Sequence, residues 1–171
     1  MEKEEVIKNS ENKEFLLKVL SKEGKLLEYA SQTMQDDKEL VMVALKQDGE
    51  ALEFASQRLK NDKDVLLLAL QTAPWTVCYA SEQLKADKDV ILASVQKDGQ
   101  GLYFASEELR DDEEVVKTAV ANKGIIIKYA SLRLRQNKEI ALIALKQNKK
   151  AFPFLSKELK QDEEFLKFIN E

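Results

Sequence analysis

At 171 residues, 44% hydrophobic and 34% charged, the chain has apolar material for a core spread evenly along it, which excludes a disordered polypeptide. Five glycines and two prolines are too few for an all-β fold, and a net charge of −4 gives no general attraction to nucleic acid. The complete lack of histidine removes the commonest general base and the commonest metal ligand together.

The N-terminal run Met1-Glu2-Lys3-Glu4-Glu5 does not read as a secretory leader. Cys78 is the one cysteine, so no intrachain disulfide can form and a reducing compartment is expected. The longest apolar run, Val65 to Leu70, is far short of a membrane span. A cytoplasmic location with no membrane partner is the expectation.

Residues 1–11 fit no pattern and are expected to cap the N-terminal end. From residue 12 the sequence repeats itself every 25 residues without insertion or deletion. Asn12, Asp37, Asp62, Asp87, Asp112, Asn137 and Asp162 form one column, each followed two residues later by an acid. Asp and Asn are favoured helix N-caps, and an acid in the first turn complements the positive helix end. A helix of about eleven residues is therefore predicted after each. Its apolar stripe is illustrated by Leu40, Val41, Ala44 and Leu45, with Val41, Leu66 and Ile91 expected to be buried.

Twelve residues after the cap stand Gly24, Gly49, Gly99 and Gly124, replaced by Pro74 and Lys149 in the third and sixth copies. These glycines are expected to close the helix in the left-handed conformation, with Asn148 taking that role beside Lys149. A second helix of about six residues follows, ending in an aromatic-Ala-Ser triplet: Tyr29-Ala30-Ser31, Phe54-Ala55-Ser56, and so on to Phe154-Leu155-Ser156. Pro153 is expected to shorten that helix or to begin it. The serine reads as another N-cap, opening one further turn. Copies begin at 12, 37, 62, 87, 112 and 137, and residues 162–171 supply a terminal helix with Phe165, Leu166 and Ile169 inward. One repeat cannot bury its apolar face alone, so stacking is required. The predicted fold is an all-α solenoid of six 25-residue repeats plus a C-terminal half-repeat, forming a single domain over 1–171.

The run from Asp37 to Leu59, Asp-Lys-Glu-Leu-Val-x-x-Ala-Leu-Lys-Gln-Asp-Gly-x-Ala-Leu-x-Phe-Ala-Ser-x-x-Leu, resembles the repeat of the domain of unknown function 4116 family. The resemblance extends from about Asn12 to Phe168. It implies a helical array without an assigned activity, and it brings no catalytic residues.

No catalytic, cofactor-binding or metal-binding constellation is found. The recurring Asp and Ser columns are explained by capping. Asp62-Lys63-Asp64 and Asp111-Asp112-Glu113-Glu114 lack the glycine and distal glutamate of a calcium loop, and Gly99-Gln100-Gly101 lacks the lysine and hydroxyl of a phosphate loop. Cys78 has no histidine to activate it.

Irregular apolar residues are more informative. The position after the glycine is Lys25, Glu50, Gln100 or Lys150 in four copies but Trp75 and Ile125 in two, and Tyr103 lies three residues past it among charged counterparts. Trp75, Cys78, Tyr103 and Ile125 are the candidate partner-binding residues, expected to form one exposed face. Charge is uneven too: residues 112–161 hold eleven Lys/Arg against five Asp/Glu, including Lys128, Arg133, Arg135, Lys146, Lys149, Lys150, Lys157 and Lys160. Acids interrupt this stripe and aromatic interleaving is thin, so a solvated face is favoured over nucleic acid. The expectation is a non-enzymatic scaffold for a protein partner, with no cofactor or small-molecule substrate. The alternatives are a spacer that self-associates through its ends, or an RNA-reading array.

Overall fold

Each capping Asp or Asn opens a helix at the predicted residue. The computed structural model describes residues 2–170 and is all-α; among the described residues there is no strand. By its contacts the chain divides into two compact units, Met1–Leu84 and Lys85–Glu171.

The first unit begins with α1 (Glu2–Lys8) and continues with three repeats of one design. In the first, α2 (Lys13–Leu20) leads to a 3₁₀ helix (Gly24–Tyr29) and a one-turn helix α3 (Gln32–Gln35). The second has α4 (Lys38–Gln47), a 3₁₀ helix (Gly49–Phe54) and α5 (Gln57–Lys60); the third has α6 (Lys63–Leu70) and a 3₁₀ helix (Pro74–Tyr79). The one-turn helix α7 (Glu82–Lys85) spans the division. In the second unit α8 (Lys88–Lys97), α10 (Glu113–Asn122) and α12 (Lys138–Gln147) are the long helices. They are followed by 3₁₀ helices at Gly99–Tyr103, Gly124–Tyr129 and Lys149–Phe154 and by short helices α9 (Glu107–Arg110), α11 (Leu132–Arg135) and α13 (Lys157–Gln161). The last helix is α14 (Glu163–Asn170). The long helices have eight to ten residues rather than eleven.

Within each unit long helix packs on long helix and 3₁₀ on 3₁₀ of the neighbouring repeat. The core is the column pattern expected: Leu40, Val41, Ala44 and Leu45 are buried, as are Val115, Val116, Ala119 and Val120. The cap serines work twice. Ser56 Oγ accepts from the Leu59 amide at 3.2 Å, while the Ser56 amide donates at 3.0 Å to the Gln35 carbonyl of the preceding repeat. Ser131 does the same with Leu134 and Arg110. The first residue of a long helix reaches forward to the next cap: Lys13 to Asp37, Lys38 to Asp62, Lys88 to Asp112 and Lys138 to Asp162, at 2.6–2.8 Å. The fifth repeat departs from this. Glu113 stands in place of the lysine, the next cap is Asn137, and the ion pair moves one turn on, to Lys117–Glu139 at 2.9 Å.

Four expectations are overturned. No described residue, glycine or not, has positive φ. Gly24, Gly49, Gly99 and Gly124 instead open the 3₁₀ helices, and what requires glycine is a close approach: a Cβ would overlap the carbonyl oxygen of Ala44, Ala69, Ala119 or Ala144 respectively, one repeat ahead. Side chains of that next repeat also take the glycine amide, Gln47 at 2.7 Å, Thr72 at 2.9 Å and Gln147 at 2.6 Å. Asn148 is extended, with φ −156°, and caps the following 3₁₀ helix by accepting from the Lys150 amide. Pro153 neither shortens nor starts that helix, which keeps its six residues from Lys149 to Phe154. Its fixed φ suits a 3₁₀ turn, and its column is exposed in most copies. Finally, Phe165 is buried but Leu166 is 40% exposed, because the face it occupies is the one each earlier long helix turns to the next repeat.

Candidate functional site

The candidate residues lie on the 3₁₀ helices, two in each unit. In the first unit Trp75 is 40% exposed, and its ring tilts against Tyr79 at 5.8 Å between centroids. Trp75 follows Lys25 and Glu50 in its column. The Lys25 ammonium bonds the Glu50 carboxylate and, with the Trp75 indole N–H beside it, holds that carboxyl below its ordinary value. Cys78 is half-buried one residue before Tyr79. Burial raises the Tyr79 phenol, and burial lowers Lys60, whose ammonium sits 5.2 Å from the Tyr79 ring and donates to the Glu53 carbonyl at 2.6 Å. Lysine here closes the 3₁₀ helix by binding its last carbonyls, a job done by Gln35, Arg110 and Lys160 in other copies.

In the second unit Tyr103 is 48% exposed and edge-on to both Phe104 and Tyr129, each at 4.9 Å. Tyr129 is also covered by the Lys128 ammonium at 4.7 Å, which lies 6.0 Å from the Phe154 ring. Tyr103, Tyr129, Phe154 and Lys128 thus make a continuous aromatic and cationic surface. Sequence reasoning named only Tyr103 of these four as a partner residue. The 25-residue aromatic column was visible but was assigned to the repeat's frame, whereas all six of its members are only half-buried. Ile125 is half-buried, less open than expected, like Glu50 of its column. Leu132, 58% exposed, was missed; its column otherwise holds Gln32, Gln57, Glu82, Glu107 and Lys157, so the departure was legible.

The basic residues of 112–161 are largely engaged in the repeat. Arg133 clamps Asp111 through Nε at 3.0 Å and its backbone carbonyl through Nη2 at 2.6 Å, Lys160 binds the Pro153 carbonyl, and Lys149 lies 5.5 Å from the Phe168 ring. Among the described residues no group of three or more Cys, Asp or Glu is placed to hold a metal ion, and no helix is long and apolar enough to cross a membrane.

The family described as domain of unknown function (DUF4116) matches the chain six times in register, at 12–60, 37–85, 62–110, 87–135, 112–160 and 137–170. These steps of 25 residues coincide with the capped helices, and the chain belongs to that family of helical repeats. No curated protein and no solved structure matches it.

Proposed function

We propose that the chain is a non-enzymatic scaffold that binds another protein through the aromatic side chains its 3₁₀ helices present, Trp75 on the first unit and Tyr103 with Tyr129 on the second. One observation carries this reading: Tyr103 is held by two aromatic edges yet leaves nearly half its surface open, where four of the other five copies have a polar residue or proline. A rigid, amphipathic aromatic loses little conformational freedom on binding, which is why such residues dominate interface energetics. The Lys128 ammonium over Tyr129 adds a positive rim and favours a partner surface with acidic residues around an apolar anchor.

The test is co-precipitation from the source cell with wild type and with a Trp75→Ala, Tyr103→Ala chain, followed by titration of the purified partner. A partner retained by wild type and lost at least about tenfold in affinity by the variant supports the reading. Equal capture by both, with matching thermal melts, overturns it.

A further inference from the structure

The ring surface of the second unit fits a partner that sets carboxylates around an apolar anchor, and the first unit carries that pattern itself. The residue four past the glycine column is Glu28, Glu53 and Cys78 in the first unit and Tyr103, Lys128 and Pro153 in the second. All of these but Cys78, which is half-buried, are exposed. The 3₁₀ helix forms with glutamate, tyrosine, lysine or proline at this place, so local folding does not select the charge of the column. Within a unit neighbouring 3₁₀ helices pack side by side, so the column forms a row on each. Glu53 and Lys128 sit in the middle of their rows, with a repeat on either side of each.

The two rows are opposite in charge and alike in their open aromatics. On the first unit the Glu53 carboxylate lies beside the Tyr79 phenol, and Trp75, 40% exposed, leans on the same ring. On the second unit the Lys128 ammonium lies over Tyr129 and near Phe154, and Tyr103, 48% exposed, is edge-on to Tyr129. Lys150, also exposed, lies on the following 3₁₀ helix. Among the described residues no lysine or arginine ion-pairs with Glu28, and no carboxylate ion-pairs with Lys128 or Lys150. These charges are therefore open to a second molecule.

We propose that the chain binds a second copy of itself through these rows, the first unit of one molecule lying antiparallel against the second unit of the other. The rows then match repeat for repeat. Trp75 meets Tyr103, Glu53 meets Lys128, and Glu28 meets the repeat that carries Lys150. A parallel setting would place Glu28 on Tyr103 and Trp75 on the repeat of Pro153. Only the crossed pairing attracts, because first on first sets glutamates together and second on second sets lysines together. The proposal rests on the aromatic surface described under the proposed function and names its partner. A row spanning three repeats is small for an interface, and exposed ion pairs contribute little each. The association is therefore weak, concentration-dependent and reduced by salt.

Sedimentation velocity of the 171-residue chain from about 10 μM to about 1 mM, at low and high salt, tests it. The weight-average sedimentation coefficient should rise with concentration, and rise less in high salt. A Glu28→Lys, Glu53→Lys chain and a Lys128→Glu, Lys150→Glu chain should each associate about tenfold more weakly than wild type. An equimolar mixture of the two should recover wild-type association, since the crossed pairing is again opposite in charge. All four side chains are exposed, so melts should match wild type. A single monomeric species throughout, a reversed chain that associates like wild type, or a mixture no better than its components overturns the proposal. A chain that stays monomeric yet captures a different protein through Trp75 and Tyr103 overturns this proposal and leaves the scaffold function standing. Monomer together with capture that ignores the Trp75→Ala, Tyr103→Ala substitution removes both.

Discussion

Gly124 and Lys149 occupy the same place in consecutive repeats of the second unit, and the backbone treats them alike. Each follows an extended residue, φ −147° at Lys123 and −156° at Asn148, and each opens a six-residue 3₁₀ helix. Their surroundings differ. Gly124 is buried against the Ala144 carbonyl, and its amide is held by Gln147 at 2.6 Å. Lys149 is exposed, with its ammonium 5.5 Å from the Phe168 ring. The glycine column is thus a packing requirement between repeats and not a conformational one within a repeat.

That comparison is broken or upheld most sharply by substitution at the two sites. Gly124→Ala forces a Cβ into the Ala144 carbonyl of a close-packed junction and should cost about 1–3 kcal/mol. For a unit of this size each kcal/mol lowers the melting temperature by roughly 4–8 °C. Lys149→Ala should stay within about 0.5 kcal/mol of wild type. Urea denaturation of the two variants checks both values, and similar losses at both sites would show that the column serves the backbone after all.

Next in size are the caps. Asp62 accepts from the Asp64 and Val65 amides at 3.1 and 3.2 Å and also binds Lys38 of the repeat before; Asn137 accepts the equivalent pair from Glu139 and Ile140 but receives no lysine. Replacing either with Ala should cost about 1 kcal/mol for the cap. Asp62→Ala should lose a few tenths of a kcal/mol more, the size of a surface ion pair. Denaturant midpoints measured at low and high salt separate the two parts, because only the excess at Asp62 should shrink with salt.

The frame was legible because capping and helical periodicity are local: an Asp, an acid two residues on and apolar residues at i, i+3 and i+4 state a helix start without reference to anything distant. All seven long helices begin where that grammar places them. The role of Gly24 was not legible, because its neighbour is a backbone oxygen twenty residues ahead, and a carbonyl leaves no mark on the sequence. The same limit misled the reading of Asn148, which was inferred from a left-handed closure that does not occur; Pro153 was misjudged for a different reason, because the rule that proline breaks a helix interior does not carry over to a 3₁₀ turn. For the candidate site, Trp75 and Tyr103 stood out as departures from polar columns. Tyr129 and Phe154 did not, since they conform to theirs, and conformity hides the half of each ring that stays open.

The smallest effect expected is electrostatic, and each unit carries one copy of it. At Asp36 a hydrogen bond from Ser56, then one from Arg58, holds the carboxyl below its ordinary value of 3.8; at Asp111 Ser131 and Arg133 do the same. Arg58 also donates through Nη2 to the Asp36 carbonyl at 2.7 Å, as Arg133 does at Asp111 at 2.6 Å, so each clamp ties a short helix to the end of the repeat before. A carboxyl depressed in the folded state favours folding fully above the unfolded value, and that contribution is lost as pH falls through the folded one. Wild-type stability should therefore hold from neutral pH down to about 4 and decline below it. These carboxylates are exposed at the surface, so salt screens them and the decline is modest. In an Asp36→Asn, Asp111→Asn chain the stability at neutral pH should be slightly lower and the acid decline shallower. Thermal melts from pH 7 to pH 3 on both chains measure the difference, and parallel curves would assign the acid sensitivity to the capping aspartates, such as Asp162, in place of these two clamps.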